Sequence, residues 1–433
     1  MNASTTEPLV RLKTSLGLLP PTALAIITLA ARVFCHGSVY FADGPAHISS
    51  ILDKVYIIQP PGYWLFNRIA GLFANPVTGI SVMNILFSVA GVVVFYYTAL
   101  FFTERRNAFL AALAYSSIFY IWFSGEVHST YASQALFPVA TFWVLLSYDR
   151  DNANWRLWLA AAIFAVGAGL RPSDGVFLIP MLVYFSVVRL PGKKAGIFLI
   201  LISVMCLAWV IPTGLAYRNA YGGMGGVSAY MLHIMKVRSI TTGVNTGSLA
   251  DIARYVFPLL VGFWPLLFVA AANVIRNGKD WRVRMMLVWI VPGSLFFVLS
   301  YIADAPYLNF LSAAILLLAV RAPRMMAITA IWNAALFLTF APIPSQRLVV
   351  NVWNCDIGKY TFYAIRHHWQ PNLSTVQTQV SRNLGREGLE PKGRSRQIEA
   401  VDVTTTKRTG DFGESNEAQC GIVTDAAMTQ ELL

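Results

Sequence analysis

An acidic residue and a cluster of proline and aromatic residues lie together in residues 41–66, FADGPAHISSILDKVYIIQPPGYWLF. The acid is Asp43, and the cluster runs from Pro60 to Trp64. The segment separates the first two long apolar runs of the chain. A charge at a membrane boundary is costly and usually marks a transport pathway or a reaction site, and a carboxylate there can serve as an acid or a base. This segment is therefore the first place in the sequence to look for chemistry.

The composition indicates a membrane protein. Of 433 residues, 56% are hydrophobic and only 12% are charged, whereas a soluble domain has about 25% charged residues. The net charge of +12 is better explained by membrane topology than by nucleic acid. The four cysteines are scattered, without the spacing of a metal site or a disulfide framework. No cofactor is expected; a divalent cation stays open, although no residue pattern supports one.

Eleven apolar runs predict membrane spans. They lie near residues 15–34, 79–101, 106–123, 128–148, 155–170, 174–189, 195–215, 254–275, 283–301, 306–320 and 325–342. The fold class expected is therefore an all-α integral membrane bundle of about 11 transmembrane helices.

The distribution of Lys and Arg predicts the orientation of these spans. The segments on the N-terminal side of the membrane carry fifteen of them, against seven in the longer loops on the other face before the tail. The positive-inside rule places the N-terminus in the cytoplasm, and an odd number of spans places the C-terminus outside. If the chemistry is external, its base is one of seven acids: Asp43, Asp53, Glu126, Asp174, Asp251, Asp304 and Asp356.

The external segments differ in character. Residues 35–78 contain an aromatic stretch typical of interfacial helices. Residues 216–253 are rich in glycine and carry Arg218, Lys236 and Arg238; they predict a mobile loop that covers a site or contacts anionic headgroups, or a connector without function. After the polytopic domain (1–343) come a membrane-proximal external segment (344–378) and a polar tail (379–433) that is expected to be disordered.

Three motifs in this part of the chain carry a resemblance to a known family. The first loop, with Asp43 and then Gln59-Pro60-Pro61-Gly62-Tyr63-Trp64, resembles that of the GT-C glycosyltransferases. It is most similar to the branch containing protein O-mannosyltransferases and aminoarabinose transferases. Ser124-Gly125-Glu126-Val127-His128 and Gly169-Leu170-Arg171-Pro172 resemble two further landmarks of these enzymes, in the same order and on one face. The likeness covers roughly residues 35–190. It departs from the pattern at Gln59, where His is common, and after Asp43, which no second acid follows until Asp53.

The resemblance implies transfer of a sugar from a polyprenyl-phosphate donor to an acceptor hydroxyl on the outer face, with inversion. It implies Asp43 as the base, with help from His47, and Arg171 as the cation for the lipid phosphate. Arg218, Lys236 and Arg238 are weaker candidates for the phosphate. The residues implied in binding the acceptor or the sugar are His47, Tyr63, Trp64, Glu126 and His128.

Each of these residues also has a purely structural interpretation. Asp43 is well placed to cap the helix that follows it, and the proline pair to break the loop before an aromatic anchor. Glu126 and His128 fit surface polar groups at a helix end. Arg171 fits an ion pair with Asp174 or a side chain that reaches the headgroups.

Two other functional classes fit the composition. A transporter or flippase of lipid-linked sugars would carry ionisable residues at mid-membrane depth, and the spans contain almost none. An inactive scaffold that binds a polyprenyl lipid would tolerate Asp43→Ala. The favoured interpretation is a multi-pass transferase of a bacterial inner membrane. Its partners are a lipid-linked sugar, membrane lipid and an acceptor protein, lipid or glycan.

Overall fold

The structure, a computed structural model, describes residues 19–35, 43–58, 62–221, 248–297 and 305–339. Most of the predicted loop 216–253, the membrane-proximal segment 344–378 and the tail 379–433 lie outside these ranges. The helices, in chain order, are α1 (Leu19–Cys35), α2 (Asp43–Leu52), α3 (Trp64–Ala70), α4 (Pro76–Ala99), α5 (Arg105–Ser117), α6 (Phe119–Ser124), α7 (Phe137–Asp151), α8 (Trp155–Leu170), α9 (Pro172–Arg189), α10 (Gly192–Tyr221), α11 (Ser248–Asn277), α12 (Trp281–Leu295), α13 (Asn309–Ala319) and α14 (Pro323–Thr339). Short 3₁₀ turns lie at Tyr131–Ala135 and Ala305–Leu308.

Each of the eleven predicted apolar runs contains a helix, and the described residues form no strand. Within this part of the chain, four stretches are long and apolar enough to cross a membrane by length and composition, namely 76–99, 172–189, 192–219 and 259–277. α10 is mostly exposed along its apolar length, as at Ile200 (65%) and Val204 (58%). Lipid chains are the natural solvent for such a surface.

The helices pack into a bundle around one large apolar core. α4 is central, in contact with α1, α5 and α7, while α8, α9 and α10 pack side by side along the chain. α11, α12 and α13 close the bundle, and α14 returns to pack against α5. Helix starts follow from local sequence: the Asn75 side chain accepts from the Val77 N–H (2.9 Å) at the start of α4, directly before Pro76.

Two runs depart from single continuous spans. The run 106–123 is broken at Ile118 into α5 and α6, and the run 128–148 becomes α-helical only at Phe137. Residues 118–135 lie between α5 and α7 and include the short helix α6. All of them are buried. Irregular backbone is tolerated at membrane depth only where protein or a polar site surrounds it, so this stretch is part of the interior.

The first loop holds two short helices, α2 and α3, as the aromatic stretch in residues 35–78 predicts. They rest on the bundle through a second, smaller core that includes Ile48, Phe66, Ile80 and Leu170. Burial of these side chains fixes α2 and α3 above the ends of α4 and α8. We refer to this end of the bundle as the loop end.

Candidate functional site

The side chain of Asn67 links three parts of the first loop by hydrogen bonds at the loop end. Its side chain is fully buried on α3 and makes three hydrogen bonds. Its Nδ2 donates to Ser50 Oγ and to the Tyr56 carbonyl, each at 3.1 Å, and its Oδ1 lies 2.6 Å from Nδ1 of His47. Since both donors of the amide are used, Oδ1 must accept, and Nδ1 of His47 carries the proton. The acceptor atom of the neutral His47 ring is therefore Nε2.

Burial keeps His47 neutral. The ring is 1% exposed, and desolvation lowers its pKa to about 4, against the opposing effect of the Asn67 hydrogen bond; the nearby Arg171 lowers it further. Two aromatic rings pack edge-on against His47, those of Tyr63 (5.5 Å between centroids) and Phe66 (5.2 Å). At neutral pH, His47 is thus an uncharged acceptor.

A tight turn brings Tyr63 to the site. Gly62 has φ +103° and Tyr63 has φ +53°, both in the left-handed region, which costs a bulky residue about 1 kcal/mol or more. A Cβ on Gly62 would lie 2.9 Å from the ring of Tyr217 on α10. The Tyr217 hydroxyl donates to the Ile58 carbonyl at 3.2 Å. α10 therefore holds the turn in the conformation that places Tyr63.

Arg171 lies between α8 and α9 and is 1% exposed. Its Cζ sits over three tyrosine rings, at 4.0 Å from the centroid of Tyr131, 4.9 Å from Tyr307 and 5.7 Å from Tyr63. The three rings come from three separate segments of the loop end, and we call them the tyrosine cage. Desolvated cation–π contacts of this kind hold a guanidinium in place.

The hydrogen bonds of Arg171 do not use all the donors of its guanidinium group. Nη1 donates to Thr130 Oγ1 at 2.5 Å, and Nε lies 3.3 Å from Oδ1 of Asp174. The same Asp174 oxygen accepts from Nε2 of Gln134 at 2.7 Å. Nη2 has no hydrogen-bond partner among the residues that the structure describes. A guanidinium is always charged in proteins, so a buried, charged donor remains available for an anion.

Glu126 and His128 lie in the buried stretch 118–135, at 5% and 0% exposure. This rules out their interpretation as surface groups at a helix end. The Trp122 indole N–H donates to Oε1 of Glu126 at 2.5 Å, and Nε2 of His128 lies 2.9 Å from Oγ of Ser81. Ser81, Asn84 and Ser88 form a polar stripe along one face of α4, which hydrogen-bonds to His128, to the Val127 carbonyl and to Arg32.

Arg32 is an ionisable residue that the sequence analysis missed. It lies inside the first apolar run, on α1, and is fully buried. Its Nε donates to Ser88 Oγ at 2.9 Å, its Nη2 donates to the Ser116 carbonyl at 2.7 Å, and its Cζ lies 5.2 Å from the ring of Trp122. Gly125 makes room for it, since a Cβ there would lie 2.8 Å from the Arg32 Cδ. A charge within an apolar run was the signal that could have found it.

The remaining candidates are placed less completely. Asp43 is the first residue of α2, one helical turn before His47, and its side chain lies outside the described part of the structure. Trp64 is half-buried at the start of α3, and Arg218 is exposed near the end of α10. Lys236 and Arg238 lie outside the described residues. Tyr63, His47 and Arg171 are thus brought together; Glu126 and His128 belong to the neighbouring buried stretch.

Tyr131, Tyr307, Thr130 and Gln134 also belong to the site and were not predicted. No sequence signal distinguishes them from other polar and aromatic residues at the ends of apolar runs. Within the described ranges, no group of three or more His, Cys, Asp and Glu side chains lies close enough together to hold a metal ion.

Comparisons with known proteins agree with this architecture. Residues 59–215 match the family model described as dolichyl-phosphate-mannose-protein mannosyltransferase. The crystal structure of ArnT from Cupriavidus metallidurans bound to undecaprenyl phosphate matches with a TM-score of 0.58 and 17% identity, over 86% of this chain and 73% of that chain. No curated protein sequence matches significantly. The resemblance drawn from the three motifs is confirmed: the chain has the fold of the polytopic GT-C glycosyltransferases, and over residues 59–215 it is similar to the protein mannosyltransferases among them.

Proposed function

We propose that this protein is a membrane glycosyltransferase that moves a sugar from a polyprenyl-phosphate donor to an acceptor hydroxyl on the outer face, with inversion. The acceptor is a protein, a lipid or a glycan, and the setting is a bacterial inner membrane with the N-terminus in the cytoplasm and the C-terminus outside. The observation that carries the proposal is the buried Arg171, whose Nη2 has no partner within the described residues. The family description and the ArnT complex both name a polyprenyl-type phosphate.

Arg171 is proposed to hold the phosphate of the donor. When the bond from the anomeric carbon to the phosphate oxygen breaks, negative charge develops on the phosphate. A fixed guanidinium in a site with little water stabilises this charge far better than solvent does. The tyrosine cage and Asp174 hold the guanidinium before the reaction begins, so little reorganisation is required. Arg218, Lys236 and Arg238 stay secondary candidates for the same phosphate.

Asp43 is proposed as the base. It takes the proton of the acceptor hydroxyl as the hydroxyl oxygen attacks the anomeric carbon, and the polyprenyl phosphate leaves with the electron pair of the broken bond. His47 is a poor base at neutral pH, because its pKa lies near 4. Its Nε2 can accept a hydrogen bond from a hydroxyl group, which suits a binding role beside Tyr63 and Trp64. Glu126 and His128 are proposed to orient sugar or acceptor groups from the buried stretch.

The proposal is tested by sugar transfer in proteoliposomes, with single sugars carried on undecaprenyl phosphate. We expect Asp43→Asn to lower the rate by roughly 10²- to 10⁴-fold, and Arg171→Ala to lower it by roughly 10²- to 10³-fold. Asp53→Asn and Arg68→Ala are matched controls, because both residues are exposed in the same loop; they should transfer at the wild-type rate.

Undiminished transfer by Asp43→Asn would exclude this base. Translocation of the lipid-linked sugar without product would favour a transporter, and binding without either would favour a scaffold.

A further inference from the structure

Asn309, at the start of α13, is a buried amide with one unused atom. Its Nδ2 lies 2.6 Å from Ser124 Oγ and 3.4 Å from the Tyr131 carbonyl. Ser124 Oγ donates its own proton to the Tyr120 carbonyl at 2.7 Å, so it can only accept from Asn309. The orientation of the amide is therefore determined, and its Oδ1 accepts no hydrogen bond from the described part of the chain.

Gln134, in the 3₁₀ turn, is in the same situation. Its Nε2 donates to the carboxylate of Asp174 at 2.7 Å, which identifies the nitrogen. Its Oε1 is buried and accepts nothing from the described residues.

Among the other buried amides of the described residues, Asn67 and Asn333 are fully used, whereas Asn84 on α4 donates to the Val127 carbonyl and its Oδ1 also accepts nothing there. Asn67 engages both its oxygen and its nitrogen. Asn333 on α14 accepts from the Phe119 N–H at 3.3 Å and donates to the carbonyls of Gly262 (2.9 Å) and Thr329 (3.0 Å). A buried acceptor without a donor is costly enough that native proteins contain few of them. Two such oxygens close to one buried cation therefore call for a ligand with donor groups.

Both amides border the Arg171 site. Tyr131 connects Asn309 to it, because its carbonyl lies beside Nδ2 of Asn309 and its ring lies under the Arg171 guanidinium. Tyr307, two residues before Asn309, also packs on Arg171. Asp174 connects Gln134 to it, because one carboxylate oxygen lies beside both side chains. The two unused acceptors and the unused guanidinium nitrogen thus belong to one neighbourhood.

We infer that Oδ1 of Asn309 and Oε1 of Gln134 accept hydrogen bonds from the hydroxyl or amino groups of the sugar that is carried on the phosphate at Arg171. The inference rests on the proposed function. It also names the class of sugar. Two acceptors beside the carboxylate of Asp174 favour a neutral, hydroxyl-rich or amino sugar, and they disfavour a uronic acid, whose carboxylate would face three oxygen acceptors.

The test measures binding by the full-length protein in nanodiscs. The ligands are sugar-free undecaprenyl phosphate and undecaprenyl phosphate that carries mannose, glucose, galactose, 4-amino-4-deoxyarabinose or glucuronate. We expect at least one neutral or amino sugar to bind about tenfold or more tightly than the sugar-free lipid, and glucuronate to add nothing. Asn309→Leu and Gln134→Met, which remove the acceptors at similar volume, should each lower this sugar increment by roughly ten- to one-hundredfold. Asn309→Leu should bind the sugar-free lipid about as tightly as the wild type. Gln134→Met also removes the hydrogen bond to Asp174, so for this variant only the sugar increment, measured against its own binding of the sugar-free lipid, is compared.

The control is Asn273→Leu on α11, which removes a partly buried amide whose nitrogen donates to the Leu318 carbonyl and whose oxygen accepts from Asn277. It should lower thermal stability and keep the sugar increment. The inference is overturned if Asn309→Leu and Gln134→Met both keep the increment, or if no sugar adds affinity to the wild type, since internal water would then satisfy both oxygens. A failure of the proposed function looks different, because the wild type would then bind even sugar-free undecaprenyl phosphate no better than Arg171→Ala does.

Discussion

Two arginines are fully buried among the described residues, and their contacts differ. Arg32 donates to Ser88 and to the Ser116 carbonyl and packs on Trp122, so it joins α1, α4 and α5. Arg171 lies at the loop end among the three rings of the tyrosine cage, one of which, Tyr63, belongs to the first loop. At the scale of single residues, we therefore expect Arg32 to act through its structural contacts, and we propose Arg171 as the cation that binds the phosphate.

Arg32→Lys should destabilise the protein. A lysine ammonium is compact and cannot reproduce the planar fork that reaches Ser88 and Ser116 while it stacks on Trp122. We expect a loss of about 2–4 kcal/mol in unfolding free energy, measured by thermal or denaturant unfolding in detergent. Arg68→Lys is the control, because Arg68 is exposed and packs on Tyr56 from outside; it should change stability by less than about 0.5 kcal/mol. Equal effects of the two substitutions would contradict a structural role of Arg32.

His47 should make stability depend on pH. Its pKa is about 4 in the folded state and about 6.5 in the unfolded chain. Between these values the unfolded state binds a proton and the folded state does not, so stability falls as the pH falls from about 6.5 to about 4. The loss amounts to roughly 3 kcal/mol.

The measurement compares the wild type with His47→Gln between pH 7.5 and 4. Glutamine can still donate to Oδ1 of Asn67 but does not titrate. The difference in unfolding free energy between the two proteins should therefore shrink or reverse at low pH. A difference that stays constant over this range would show that burial of His47 does not govern its protonation.

At the scale of elements, the decisive feature is the buried stretch 118–135 between α5 and α7. The helix break at Ile118 leaves the Phe119 N–H without a helical partner, and Asn333 of α14 accepts it. The polar stripe of α4 binds the other side of the stretch. Thr130, Tyr131 and Gln134, all in this stretch, reach Arg171 or its partner Asp174. The stretch 118–135, held by α4 and α14, thus supplies several of the residues around Arg171.

Gly91 tests how closely α4 must approach this stretch. A Cβ at Gly91 would lie 2.5 Å from the Ala135 carbonyl oxygen, which is backbone and cannot move away easily. We expect Gly91→Ala to cost about 1–3 kcal/mol and to lower transfer, read by thermal unfolding and by the sugar-transfer assay. Gly196 is the matched control, since it also lies inside a helix but has nothing within 4 Å of its added Cβ. Gly196→Ala should be neutral or stabilise by up to about 1 kcal/mol; a similar loss at both positions would point to helix effects alone.

At the scale of the whole molecule, the loops that connect the helices lie at the two ends of a multi-pass membrane bundle. At the loop end, the first loop, the 3₁₀ turns and Arg171 meet. At the other end, Asp149 pairs with Arg189 and lies 3.8 Å from Arg282. Lys194 donates to Asn154 there at 3.1 Å. The excess of Lys and Arg is at this second end, which the positive-inside rule assigns to the cytoplasm.

Labelling from one side of the membrane tests this orientation. In a cysteine-free background, Asp53→Cys lies at the loop end and Lys279→Cys at the opposite end, and both positions are exposed. An impermeant maleimide added to intact cells or spheroplasts should label position 53, and position 279 only after the membrane is opened. The reverse pattern would place the proposed site in the cytoplasm and exclude transfer on the outer face.

Much of the fold follows from the sequence. Each apolar run contains a helix, and the interfacial helices of the first loop lie where the aromatic stretch predicts them. The differences at Ile118 and Phe137 arise because hydropathy averages over about 19 residues, and a buried irregular stretch is as apolar as a helix. Arg32 was missed for the same reason, since one charge does not end an apolar run.

The sequence by itself determined that the chain is a membrane bundle. It also predicted that Arg171 and Tyr63 lie at one end of the bundle, in motifs that resemble those of a known family. These properties depend on composition and on neighbours close in the chain. Only the tertiary structure decided what surrounds Arg171. Tyr63, Tyr131 and Tyr307 are far from Arg171 in the sequence. They contact Arg171 because the helices between them, which rise 1.5 Å per residue, bring the chain back to the same end of the bundle. Helix packing decides which side chains come into contact there, and these contacts cannot be predicted from residues that are close in the sequence.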